Sequence, residues 1–345
     1  MHQKPIIAIT MGDPAGIGAE IAVKALSDPS MYAICRPMII GDLDCVADAV
    51  GFTRSHVALN RISEPEEAVC TFGTIDVLDL GNVAPGEIEY GRVSAKAGHA
   101  AYEYIERGIR LALAGRVGAV VTGPIHKEAL NLGGHHYSGH TEIFADLTST
   151  RNYAMMLADG DFRVVHVSTH VSLREACDRV KKERVGVVIE LTHTALKQLG
   201  IENPRIAVAG LNPHAGEAGL FGREEIDEIA PAIEKARSEG LCVDGPVPPD
   251  TVFAKARSGQ YDAAIAMYHD QGHIPMKTVG FNLDAATGKW TAVSGVNVTL
   301  GLPIIRVSVD HGTAFDQAGK GTANPQSLEQ AIELAAQFAA GKAAQ

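Results

Sequence analysis

Residues able to do chemistry crowd into the stretch from Tyr268 to Thr313. An apolar run, Ala263 to Tyr268, delivers His269-Asp270-Gln271-Gly272-His273, and the chain then reaches Lys277, Asn297, Arg306 and His311-Gly312-Thr313. Imidazoles ligate metals and move protons near neutral pH, while lysine and arginine hold anions. A rigid strand that ends in such groups is the usual mount for a reaction site, because ligands of open α/β sheets bind beyond the carboxyl ends of the strands. Two more histidines share the context: His170 follows VVHVST and His214 follows IAVAGLNP, as His269 follows AAIAMY. Three strand ends on one sheet edge can bring three neutral imidazoles to a point and leave positions open for substrate, as a catalytic divalent metal requires. With 14 histidines in the chain, the competing reading is that these rings merely hydrogen-bond in polar loops.

Two further segments could hold an anion. Met11-Gly12-Asp13-Pro14-Ala15-Gly16-Ile17-Gly18 follows a strand and opens a helix, where free backbone N–H groups and the helix dipole attract negative charge. It is neither GxGxxG nor a Walker loop, so a tight turn that simply needs glycine dihedrals explains it equally well. Ser138-Gly139-His140-Thr141 repeats the arrangement at another helix start, with Thr141 as the expected N-cap and Glu142 in the first turn. Capping alone would also explain that segment, and a surface ion pair would explain either Lys277 or Arg306 taken singly.

The elements that must position these groups alternate. PIIAIT, PMII, TIDVLDL and GAVVTGP (118–124) read as buried strands; helices are expected at 19–26, 44–50 and 93–114. Such alternation predicts βαβ units and a parallel sheet covered on both faces. In the middle of the chain, a helix opens near 139–142, and YAMMLADGDFRVVHV reads as a hairpin turning at Asp159-Gly160. Helices at 183–199, 223–237 and from Thr251 then flank the strand RIAVAGL, with a break at Pro246 to Pro249. A second hairpin is expected between Phe281 and Val293, turning at Thr287-Gly288; the strand PIIRVSV and a helix at 325–340 close the chain. No internal repeat or low-complexity linker separates domains, so the chain is expected to cross between them more than once.

The totals bound the function. At 345 residues and 46% hydrophobic content the chain can bury a large core. A formal charge of -11, from 41 acidic and 30 basic residues without a basic run, disfavours nucleic acid and anionic lipid as partners. The cysteines, Cys35, Cys45, Cys70, Cys177 and Cys242, are odd in number, scattered and free of CxxC pairs, which points away from a disulfide framework and toward the reducing cytoplasm. No signal peptide and no apolar run of about 20 residues is seen, so a soluble cytoplasmic protein with no membrane association is expected.

Taken in order, TMGDPAGIG (10–18), VTGPIHK (121–127), SGHTE (138–142), STH (168–170), LNPHAGE (211–217), MYHDQG (267–272) and VNVTLGLPIIRVSVDHGTAFDQAGKG (296–321) resemble the motifs of the 4-hydroxythreonine-4-phosphate dehydrogenase family of pyridoxal phosphate biosynthesis. They span nearly the whole chain. The last motif is also similar to the nucleotide-binding segment of isocitrate and isopropylmalate dehydrogenases. The resemblance implies two α/β domains with parallel or mixed sheets and a cleft between them, one built from 1–130 plus 295–345 and the other from 131–294, with active sites shared in a homodimer. It implies that His170, His214 and His269 bind one divalent ion (Zn, Mg, Mn or Co) across the dimer interface. His140, Thr141, Lys277, Asn297 and Arg306 would hold the phosphorylated substrate. His311, Gly312, Thr313 and Ala314, with Gly12 and Asp13 of the glycine loop, would face NAD or NADP. Lys277, or alternatively Asp250, would carry the proton. The dimer is also expected from the hairpin Tyr153 to Val167, read as exposed, with apolar Met155, Leu157, Val165 and Val167 for pairing with its copy.

One departure bears on the substrate. Between Lys277 and Asn297 the chain inserts NLDAATGKWTAV, and together with GPIHKEALNLGGHH and HDQGHIPMK this resembles the paralogous branch acting on D-threonate or D-erythronate 4-phosphate. The expected activity is a metal-dependent, NAD-linked oxidation and decarboxylation of a 3-hydroxy acid carrying a 4-phosphate. A metal-dependent hydrolase or phosphatase would leave the HGTA segment without a task. A non-enzymatic sugar-phosphate-binding protein would leave the three histidines unexplained.

Overall fold

The structure is a computed structural model that describes residues 4–285 and 289–344. Two compact units form, one from the residues up to Arg151 together with those from Leu302, the other from Asn152–Gly301. The expected divisions at 130/131 and 294/295 thus lie at 151/152 and 301/302. Helix His140–Leu147 buries Ile143 and Phe144 in the first unit, and the strand at 296–300 hydrogen-bonds within the second. The first unit begins with strands β1 (Ile6–Thr10), β2 (Arg36–Gly41), β3 (Ala58–Ile62), β4 (Thr74–Asp79) and β5 (Ala119–Thr122). The second holds β6 (Ala154–Asp159), β7 (Phe162–His166), β8 (Arg205–Ala209), β9 (Cys242–Val247) and β10 (Ala263–Ala266). It continues with β11 (Phe281–Asp284), β12 (Lys289–Val293) and β13 (Val296–Leu300), before the chain returns to the first unit as β14 (Arg306–Val309).

In the first unit the strands run β3-β4-β2-β1-β5-β14, and every pairing is parallel. Parallel strands carry helices on both faces, which is why β1, β2 and β5 are almost wholly buried apolar runs. Helix Ala95–Leu113 starts where Ser94 accepts from the Ala97 amide and lays Ala97, Ala101, Tyr104, Ile105 and Ile109 on the core. Gly98 lets the backbone of Ala129 approach: a Cβ there would stand 1.9 Å from the Ala129 carbonyl oxygen.

In the second unit the order is β13-β6-β7-β10-β8-β9, with β6 antiparallel to both neighbours and β7, β10, β8 and β9 mutually parallel. The hairpin at 153–167 is therefore interior, not an exposed arm. Its strands are hydrogen-bonded on their outer sides by β13 and β10, and Leu157, Val165 and Val167 are buried. Asp159 pairs with Phe162, so the tight connection is Gly160-Asp161, one residue beyond the expected turn. The segment expected as a single helix at 223–237 opens as a wide turn, Glu225–Ile229, before helix Ala230–Ser238, because Pro231 has no N–H to close a regular turn. β9 runs through Pro246 where a break was expected; it lies at the end of the strand order, where a missing donor is tolerated. β11 and β12 pair antiparallel as the second hairpin, whose expected turn residues Thr287 and Gly288 lie outside the described residues. No helix among the described residues is long and apolar enough to cross a membrane.

Candidate functional site

The three histidine-bearing ends are neighbours. β7, β10 and β8 lie side by side and parallel, so His170, His269 and His214 all follow the carboxyl ends of adjacent strands. His170 and His269 approach each other, ring centroids 5.6 Å apart. A cavity of about 500 Å3 lined by Thr169, His170, Tyr268, His269 and Asp270 opens beside them. His269 does not sit in a polar loop, as the competing reading had it, but begins helix His269–Gly280, and its Nδ1 is 2.7 Å from Asp270 Oδ1. A carboxylate on one ring nitrogen fixes the tautomer and leaves the other nitrogen for a ligand.

His214 stands differently. It is exposed and lies in a turn where His214, Ala215, Gly216, Glu217 and Ala218 all have positive φ, between 44° and 81°. Left-handed backbone costs a non-glycine residue ~1–2 kcal/mol, and strain of that kind concentrates at functional sites. Among the described residues of one chain, no three His, Cys, Asp or Glu side chains are placed to hold a metal. Within one chain the expected trio is thus brought together only as far as His170 and His269.

Two rings were given no role by the sequence reading. His273, one turn beyond His269, stacks on it with centroids 3.7 Å apart and donates from Nδ1 to the His269 carbonyl at 3.0 Å. The i, i+4 spacing was the available signal. His166 is buried in β7, its centroid 4.7 Å from that of His273. Burial first, and the neighbouring His273 second, push its pKa down to about 3, so it is neutral. Gly272 makes room for it, since a Cβ there would meet His166 Nε2 at 2.3 Å. Nothing in the pattern VVHV distinguishes this ring from a core residue.

Gln271 links two of the strand ends. Its Oε1 accepts from the Met267 amide at 2.6 Å and its Nε2 donates to the Gly210 carbonyl at 2.9 Å. Lys277 lies on the same helical face as His269 and His273, by the i, i+4, i+8 spacing, with its Nζ 4.4 Å from the Phe281 ring centroid. Asp250 is exposed in the first turn of helix Pro249–Arg257 and lines a second cavity of about 670 Å3 with Asp270 and Gln271. Asn297 pairs with Leu157 across β13 and β6, and its Oδ1 is buried without a hydrogen-bond partner.

The first unit assembles a cationic corner. Arg306, in β14 and 3% exposed, donates from Nη2 to Thr122 Oγ1 at 3.0 Å and lies 5.6 Å from the Phe144 ring centroid. Burial pulls its pKa down to about 9, which leaves the guanidinium charged at neutral pH. The His140 ring sits nearby; burial and then the Arg306 charge hold it well below the usual histidine range, and its Nε2 has no hydrogen-bond partner. Thr141 is not the cap expected of it. Gly139, which has no side chain to offer, is the N-cap of helix His140–Leu147, and the extended backbone there places Thr141 inside the first turn.

Four amides of the glycine loop are already taken, which narrows what it can offer an anion. Asp13 N donates to Pro124 O, Ala15 N to Asp13 Oδ1, Gly16 N to Asp13 O and Ile17 N to Thr313 O. Packing is what the glycines answer to: a Cβ at Gly12 would lie 2.4 Å from Pro124 O, and one at Gly18 1.8 Å from Met11 O. The loop does meet the other residues assigned to the dinucleotide. Gly16 packs on Thr313, which is buried, while Gly312 is exposed and His311 and Ala314 are partly so. Asp13 is itself buried, which raises its pKa to about 6 against the lowering effects of the Ala15 amide and His126; the His126 ring stacks on Phe315 at 4.8 Å.

This architecture has relatives. The chain belongs to the PdxA family of pyridoxal phosphate biosynthetic proteins, which it matches over residues 33–335. A protein of Bradyrhizobium diazoefficiens is 53% identical over 342 residues, with 98% of each chain covered. The D-threonate 4-phosphate dehydrogenase of Cupriavidus necator is 47% identical over 340 residues, again covering 98% of both. Among solved structures, a 4-hydroxythreonine-4-phosphate dehydrogenase from Klebsiella pneumoniae superposes with a TM-score of 0.86 at 44% identity, covering 97% of this chain and 98% of that one.

Proposed function

We propose that this protein is a dehydrogenase that oxidises a four-carbon hydroxy acid carrying a 4-phosphate, D-threonate 4-phosphate or its D-erythronate isomer, using NAD or NADP and a divalent metal. The observation that carries the substrate class is the buried cation Arg306, set beside His140 at a helix start without a side-chain cap. A planar guanidinium can grip a phosphate with two parallel hydrogen bonds, and the helix start adds amide donors and the positive end of its dipole. His140, neutral, can donate one further hydrogen bond, and Thr141 supplies a hydroxyl. The choice among acids rests on the full-length similarity to the Cupriavidus necator enzyme.

The chemistry is a two-electron oxidation. Hydride leaves C3 for the nicotinamide, the C3 hydroxyl gives up its proton, and the resulting β-keto acid loses carbon dioxide. Held by His170, His214 and His269 drawn from two copies of the chain, a divalent ion (Zn, Mg, Mn or Co) would acidify the reacting hydroxyl and draw off negative charge. The His170–His269 spacing suits such an ion. Lys277, on the helical face shared with His269, takes the proton, with Asp250 as the alternative. Asn297 Oδ1, buried and free to accept, orients a substrate hydroxyl. His311 to Ala314, backed by Gly16, face the dinucleotide together with Gly12 and Asp13 of the glycine loop.

Incubating the protein with NAD or NADP and the two four-carbon acid phosphates, 4-phosphohydroxy-L-threonine and the unphosphorylated acids, before and after chelation, tests this reading. Expected are reduced cofactor and carbon dioxide in equal amounts, from the phosphorylated acids, abolished by chelator. Release of inorganic phosphate without cofactor reduction would make the protein a hydrolase, and tight binding without turnover a sensor.

A further inference from the structure

The left-handed turn that carries His214 is seated on a buried carboxylate to which nothing above gives a function. Glu225, 4% exposed, accepts through Oε1 from the amides of Leu211 and Asn212, both at 2.7 Å, and through Oε2 from Asn212 Nδ2 at 2.9 Å. Asn212 Nδ2 also donates to Glu224 Oε2 at 2.7 Å. Three glycines close the seat. A Cβ at Gly216 would lie 2.7 Å from Glu225 Oε2, one at Gly210 3.1 Å from Oε1, and one at Gly222 2.4 Å from Asn212 Nδ2. Gly210 is also the residue whose carbonyl Gln271 ties to the start of the His269 helix.

We infer that Glu225 is a positioning residue for His214: its carboxylate locks the chain entering the turn, so that His214 is presented in a conformation the backbone would not hold unaided. The inference rests on the reading of His214 as a metal ligand. Burying a carboxylate is costly unless hydrogen bonds satisfy it, and here all three bonds are spent on the two residues that lead into Pro213 and His214. A carboxylate accepting two backbone amides is a stronger clasp than a neutral amide in its place. Replacing Glu225 by Gln would also set its new NH2 group against Asn212 Nδ2, a donor facing a donor.

The test compares the parent with Glu225→Gln, the milder Asn212→Ala and His214→Ala, after melting curves have fixed a temperature at which each is folded. Two quantities are read: amide hydrogen exchange of the segment 211–221, and binding of Co(II) to the metal-free protein followed by its visible spectrum. Expected is faster exchange confined to that segment in Glu225→Gln, with cobalt bound 10- to 100-fold more weakly, the range found when a partner behind a metal ligand is removed. Asn212→Ala should move both quantities in the same direction by less. Unchanged exchange in Glu225→Gln and Asn212→Ala overturns the clasp. Faster exchange with parental cobalt affinity and spectrum overturns the positioning role and leaves a structural one. Cobalt binding untouched by His214→Ala would instead show that His214 is no ligand, a failure of the functional reading that the exchange data distinguish from a failure of the clasp.

Discussion

The Arg306 corner of the first unit and the His214 turn of the second meet two opposite problems of presentation. Arg306 is buried and His140 half-buried on regular elements, a strand and a helix start, and packing and the hydrogen bond to Thr122 orient the cation. His214 is exposed on irregular, strained backbone and is oriented by a buried carboxylate several residues away. A phosphate needs charge in a dry pocket, where an ion pair is worth several times its value in water, so its partners can be sealed inside one chain. An imidazole proposed to meet a shared metal has to stay accessible, and its rigidity then has to come from behind it.

The comparison predicts its largest effect at the exposed groups. His170→Ala, His214→Ala and His269→Ala should each abolish tight metal binding and reduce activity to that of the chelated parent while leaving the fold intact, since each ring lies beyond a strand end rather than in the core. Metal content and melting curves of the purified variants check this, and full metal occupancy in all three would move the site elsewhere. At the buried corner, Arg306→Lys should lower kcat/KM for the phosphorylated acid by ~2–5 kcal/mol of transition-state binding, because a point-charge ammonium cannot reproduce a two-pronged contact in a desolvated pocket. The unphosphorylated acid should be a very poor substrate for the parent and change little with this substitution. Equal efficiency on both acids in the parent would dissolve the contrast between the two regions.

Burial also predicts a pH effect of the same order in the first unit. Asp13 has its pKa raised from 3.8 to about 6, so between those values the folded state binds more protons than the unfolded one. Its burial cost is fully present above pH 6 and relieved on acidification. Asp13→Asn should therefore gain stability relative to the parent as pH rises from about 4 to 7, by at most roughly 3 kcal/mol. Paired urea melts across that range decide it, and a difference independent of pH would show the carboxyl to be ionised throughout. The smallest effect should follow shortening of the hairpin formed by β11 and β12. Its place directly after Lys277 predicts a change of roughly tenfold in the ranking of D-threonate over D-erythronate 4-phosphate, the scale of a modest pocket alteration, with the demand for phosphate untouched.

Much of this was legible in the residues. Apolar runs of four to six residues separated by helical periods announced the parallel strands, and the three histidines were singled out because each follows such a run. A strand is stiff and a sheet edge is straight, so sequence position translates into spatial position there. Arg306 could be singled out because it lies inside the apolar run IIRVSV, where an unneeded cation would be expensive. Local pattern also fixed Gly139 and Thr141 at a helix start, though the choice of cap between them depended on the backbone angle at which the chain arrives.

What only the tertiary structure decided were matters of partnership. Whether the glycine loop offers its amides or consumes them depends on Pro124 and Thr313, far away in sequence. Whether the hairpin at 153–167 is an arm or an interior pair depends on β13 and β10 flanking it, which its alternating pattern cannot report, since apolar residues suit either a partner copy or a core. Glu225 reads as one more acid in the polar run REEIDE until folding closes Gly210, Gly216 and Gly222 around its carboxylate. Sequence determines what a side chain can do over the few residues it can reach; which of those capacities is used is set by the long-range contacts that remove water from it.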